Sequence, residues 1–313
     1  MTSNLVSDRP AAISLLRILA MIIIGFIVIG NVVALLVVSL LYSGNLAEAM
    51  NDPVGHPDIH TILVLAQGLA AGVGLVFVPW FYLTRIELKS FGRFFGKFPA
   101  AIWFVIVSAM VIALVLGISP ITEWNANVEL PEWLGAFGDF MKEMESQASQ
   151  LTKAMTSDMT PATFLLVLVV VGVIPAIGEE FVFRGLIQTE MQRAVRNPHL
   201  AIWLTAVFFS AFHLQFFGFV PRVLLGAFMG YLYFWSGNLW FPILAHFLNN
   251  GLQVIVLYLL QLKVHSFDPE STDAAPLPFV VTCIVLLAGL LYYCKKNIPA
   301  FTADRDTNPS KLQ

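Results

Sequence analysis

The sequence predicts an all-α polytopic membrane protein, with about eight transmembrane helices around a polar intramembrane cavity and one interfacial amphipathic helix. Three observations carry that expectation. Of 313 residues, 58% are hydrophobic and 12% charged, with a mean hydropathy of +0.79, against about 45–50% and about 25% in soluble domains. Eight apolar stretches approach the roughly 20 residues a spanning helix needs. Arg and Lys also segregate between the connecting segments, twelve on one side and three on the other, as the positive-inside rule expects for an even number of spans. Both termini are therefore expected in the cytoplasm. A net charge of -3 argues against nucleic acid as a partner, since that needs a basic surface.

The spans are expected at about 14–42, 61–84, 100–118, 161–184, 199–217, 219–235, 239–262 and 278–294. The first run is too long for a signal-peptide core and lacks a small-residue cleavage site, so it reads as a retained span. The fourth to seventh are joined by short connections, which makes them antiparallel neighbours. The organisation divides into an N-terminal three-span region (1–158), a core (159–262), and a last span with a polar tail after Pro299 (263–313). In the external loop 119–160, Leu130, Trp133, Leu134, Phe137, Met141 and Met144 recur at helical spacing between acidic residues. That pattern predicts an amphipathic helix in the interface or over the bundle. Cys283 and Cys294 lie too far apart along one helix to bridge.

Ionisable groups inside a membrane are costly and mark function by default. They are Glu179, Glu180, Arg184, His213, Arg222 and His246, joined by the amides Asn249 and Asn250. Glu180 and Arg184 are four apart and can pair on one helix face, whereas Glu179 points about 100° away. Asn197-Pro198 is a helix breaker that can turn a hairpin. Glu179 lies 18 residues before Asn197 and His213 lies 15 after Pro198, so the two come level within roughly 4–5 Å. The fourth helix must then continue to about Val195. His246 and Asn250 share one face of the seventh span at mid-depth. Arg222 falls near a span end and reads as snorkelling to the interface.

A carboxylate and an imidazole across a cavity can hold and deprotonate a water. A second imidazole and an amide can donate to a developing oxyanion. Together they describe hydrolysis of an acyl bond, most simply a peptide. The same Glu179, His213 and His246 could instead hold a zinc ion that activates the water, and the sequence leaves both open. HExxH and GxSxG are absent.

Glu179-Glu180-x-x-x-Arg184, Phe209-x-x-x-His213 and His246-x-x-x-Asn250, in that order on successive helices, resemble the motifs of the CPBP family. That family comprises the type II CAAX prenyl endopeptidases and bacterial relatives, including bacteriocin-processing and immunity (ABI) proteins. The resemblance covers residues 160–262. It implies an intramembrane endopeptidase in which Glu179 and His213 activate water, His246 and Asn250 stabilise the oxyanion, and Glu180 and Arg184 orient the site. Phe209 is expected to be packing. The implied partners are a peptide or membrane-protein substrate and the lipid bilayer, in a multi-pass protein of a bacterial inner membrane. Two other readings use the same residues: a non-catalytic immunity or binding protein of this fold, and a proton-coupled transporter.

Overall fold

The computed structural model describes residues 6–44, 48, 60–264 and 272–302, with side chains as far as residue 298; the tail beyond lies outside the described residues. All regular structure among them is helical. The helices are α1 (Ala11–Leu41), α2 (His60–Ile86), α3 (Ala101–Gly117), α4 (Ser119–Ala126), α5 (Gly135–Thr156), α6 (Pro161–Val195), α7 (Pro198–Phe212), α8 (Phe219–Ser236), α9 (Trp240–Gln261) and α10 (Leu277–Thr302).

Five of these, α1, α2, α6, α9 and α10, are long and apolar enough to cross a membrane, and α3 with α4 would make a sixth although they bend by 45°. Each of the eight expected stretches carries a helix, but two of them, α7 and α8, fall short of that measure. Helix α7 has 15 residues, about 22 Å, against a hydrocarbon layer of about 30 Å. It ends at Phe212, where the sequence predicted helix to 217. Helix α8 has 18 residues, and its glycines, tyrosines and Arg222 dilute its apolar character.

Helix α6 is the central pillar, packing against α1, α2, α7, α8 and α9. Its start is well specified: Pro161 occupies the first turn, and Thr160 and Thr163 cap each other's backbone N–H groups. The winding loosens to π-type at Leu168–Val173 and again at Phe181–Gln188, with α-helix between; such departures concentrate at functional positions. Pro175 explains one consequence. It has no N–H to return to the Val171 carbonyl four residues back, and Asn250 Nδ2 donates to that carbonyl from α9 at 3.1 Å. At Gly178 a Cβ would lie 2.8 Å from Leu75 Cβ on α2, so only glycine lets the two helices cross there.

The α6–α7 turn forms as the Asn-Pro breaker predicts. Arg196 adopts the left-handed conformation (φ 55), and Asn197 Oδ1 accepts from the N–H groups of His199 and Leu200 at 3.0 and 3.1 Å.

The two ends of the bundle differ. At the end where α1 begins, Glu87 is buried and ion-paired with Arg9, with Arg17 at 3.0 Å, and accepts from Tyr82 Oη at 2.8 Å. Arg193 on α6 donates to the backbone oxygens of Ser7 and Arg9 at 2.9 and 2.8 Å. The N-terminal segment is thereby latched to the ends of α2 and α6.

At the opposite end lie α4, α5 and the 213–218 loop. The expected amphipathic helix exists with shifted bounds. Pro131 and Gly135 (φ 45) confine Trp133 and Leu134 to a short 3₁₀ turn, and α5 runs on to Thr156. Helix α5 lies against α2, α9 and the start of α6, with Trp133, Phe137 and Phe140 exposed on it or just before it.

Candidate active site

The site is assembled from three helices. Helix α6 supplies Glu179, Glu180 and Arg184. The end of α7 supplies His213, and α9 supplies His246.

The two glutamates divide as their helical phase predicts. Glu180 and Arg184 are both fully buried and meet at 2.6 Å. Arg184 also donates to the Gly226 carbonyl on α8 at 2.9 Å, and its guanidinium stacks 4.5 Å from the centre of the Phe209 ring. Gly226 permits that approach: a Cβ there would press 3.2 Å from Ala206 and 3.3 Å from the Phe209 ring. Glu180 has a second partner that sequence reasoning missed, His246 Nδ1 at 2.8 Å.

Glu179 faces the other way. Its Oε2 is buried without a protein hydrogen-bond donor, 3.8 Å from His213 Nε2 and 3.9 Å from His246 Nε2. Both imidazoles have committed their Nδ1. His213 Nδ1 lies 2.9 Å from the Phe209 carbonyl, which can only accept, so that nitrogen carries the proton. The same holds for His246 against Glu180, whose Oε1 already accepts from Arg184. A neutral imidazole with its proton on Nδ1 presents a lone pair at Nε2. With both rings neutral, two nitrogen lone pairs and a carboxylate oxygen face one space. Water, with two protons and a nucleophilic oxygen, suits that set.

The zinc reading fits less well. The donor types suit zinc, but tetrahedral ligands at 2.0–2.1 Å sit roughly 3.3 Å apart. The measured 3.8 and 3.9 Å are wider, and among the described residues no three His, Cys, Asp or Glu side chains gather as a metal ion would require.

Three residues make contacts that helical spacing did not announce. Asn250 lies one turn from His246; one N–H of its Nδ2 donates to the Val171 carbonyl at 3.1 Å and its Oδ1 accepts from Asn249 at 3.0 Å, and the amide has a second N–H to offer. Phe209 does more than pack. It is buried, carries the Arg184 cation, lies T-shaped to both histidine rings and supplies the carbonyl for His213. Arg222 reaches back to Gln215, donating to its carbonyl at 3.2 Å and its Oε1 at 3.1 Å. Glu145 of α5 and Asn125 of α4 meet the same loop; no periodicity in the sequence links them to it.

With that geometry described, comparison with known proteins adds a relationship. A Bacillus subtilis (strain 168) protein named "Uncharacterized protein YpbD" is 30% identical over 80 residues, covering 24% of this chain and 38% of that protein. No solved structure matches. The segment that supplies Glu179, Glu180, Arg184, His213 and His246, residues 161–252, matches the Type II CAAX prenyl endopeptidase Rce1-like family.

Proposed function

We propose that this chain is an intramembrane endopeptidase that hydrolyses a peptide bond near the membrane with a water activated by Glu179 and His213. The observation that carries this reading is the buried Oε2 of Glu179, without a protein donor and facing the Nε2 atoms of two imidazoles. A water held by Glu179 and His213 attacks the scissile carbonyl carbon and passes a proton to this pair. General base catalysis of this kind contributes about 10²–10⁴-fold. The proton then goes to the leaving amine, so the base acts again as the acid. His246, held at Nδ1 by Glu180, turns its Nε2 toward the same space; as an imidazolium, with a second proton at Nε2 in place of the lone pair, it donates to the oxyanion.

Arg184 and Glu180 do not take part in the proton transfers. They set the position of His246 and neutralise each other inside the bundle. Asn250 also holds the Val171 carbonyl of α6, about two turns before Glu179.

The test compares membrane proteomes of cells carrying the wild-type chain and Glu179→Ala. An endopeptidase leaves one or more membrane proteins or peptides uncut in the variant. If the variant complements fully and no precursor accumulates, the chain works by binding and the hydrolytic reading is wrong.

A further inference from the structure

His213 differs from the other site residues in how it is held. Glu179, Glu180 and His246 project from within long helices, whereas His213 caps the end of α7 and its side chain is 26% exposed, against 5% for His246. Directly after it the chain leaves helical geometry: Leu214 takes the left-handed conformation (φ 54) with its side chain largely exposed. A β-carbon makes that conformation unfavourable, so contacts from elsewhere must stabilise this turn.

Those contacts come from four directions. Arg222 of α8 donates to both oxygens of Gln215. Glu145 of α5 accepts from the Phe217 N–H at 3.2 Å and from the Gln215 amide at 3.5 Å. Asn125 of α4, itself buried, donates to the Phe216 carbonyl at 3.1 Å and accepts from the Val220 N–H at 2.8 Å. Ser210, one turn before His213, donates to the Phe219 carbonyl at 2.8 Å.

We propose that Arg222, Gln215, Glu145 and Asn125 form a clamp that positions His213, so that α4 and α5, outside the 161–252 segment, complete the site by holding its one loop-borne histidine. These are positioning residues, because none of their hydrogen bonds reaches Glu179 or either imidazole. Releasing the clamp lets the loop relax and moves Nε2 of His213 away from Oε2 of Glu179. A displacement of about 1 Å in a reacting group can cost on the order of 100-fold in rate.

The consequence for turnover rests on the endopeptidase reading; the consequence for His213 does not. The experiment therefore has two readouts on the full chain purified in detergent. The first is diethyl pyrocarbonate modification of His213, measured by peptide mass spectrometry relative to exposed His199. The second is cleavage of quenched peptides ending in a CAAX sequence, farnesylated and unfarnesylated.

In Arg222→Ala and Glu145→Ala the His213/His199 modification ratio rises severalfold, and kcat falls on the order of 100-fold with KM little changed. Arg222→Lys, which keeps a donor, restores part of both. Glu145 lies on α5, which is not among the helices apolar enough to span a membrane, so that variant keeps the test sound should Arg222→Ala fold poorly. Modification ratios equal to wild type in both alanine variants overturn the clamp. If the wild-type chain cuts neither peptide, substrates ending in CAAX are excluded for it while the modification ratio still decides the clamp.

Discussion

His246 Nδ1 lies 2.8 Å from Glu180 Oε1, and both side chains are shut away from solvent. One carboxylate oxygen thus serves Arg184 on its own helix and an imidazole from α9. The ion pair that neutralises the charge on α6 also orients the histidine facing Glu179.

Arg184→Ala should destabilise the protein by about 3–5 kcal/mol, because it leaves Glu180 buried without its counter-charge. Unfolding of purified protein in detergent measures this. Adding Glu180→Ala should cost less than the sum of the single losses, since the two residues form one unit.

Glu179→Gln separates catalysis from stability. It should lower cleavage by about 10²–10⁴-fold, while the thermal midpoint stays level or rises. The reason is that Oε2 of Glu179 has no protein donor to lose, and sites built for function often carry such a stability deficit. A falling midpoint would show that the carboxylate helps hold the fold.

Asn250→Ala should cost about 1 kcal/mol through the lost bond to the Val171 carbonyl. Pro175→Ala in the same chain should recover part of that loss, because an alanine N–H can return to Val171 within α6. A double-mutant cycle of thermal midpoints tests the coupling; simple additivity would mean that Pro175 is not why Asn250 is needed.

Stripping divalent metals should leave cleavage intact, since Oε2 of Glu179 stands farther from both imidazole nitrogens than zinc ligands do from one another. The check is elemental analysis of the chelated protein beside its rate. Loss of activity restored by zinc alone would return the three residues to metal binding.

Much of this architecture was legible because local rules determine it. The Asn197-Pro198 breaker, with helical rise, places Glu179 and His213 at one level, and the four-residue spacing gives the Glu180–Arg184 pair. Where contacts span long sequence distances, the reading fails. The run Phe212-His213-Leu214-Gln215-Phe216-Phe217 contains no glycine or proline, so composition extends α7 to 217. Its actual end depends on Asn125, Glu145 and Arg222. Arg222 looks like a span-end cation because its partner Gln215 lies in a loop without periodicity. The Glu180–His246 contact joins residues 66 apart in sequence, which helical spacing cannot anticipate.

The latch at the other end has a consequence for how the chain is made. Glu87 can neutralise Arg9 and Arg17 soon after α2 emerges, but the backbone oxygens of Ser7 and Arg9 must await Arg193. A nascent chain therefore completes its N-terminal anchorage only after the helix bearing Glu179 has been synthesised through its last turn. Deleting the first ten residues would leave every site side chain in place and remove the acceptors that fasten the end of α6, so such a truncation should be judged by assembly yield as well as by rate.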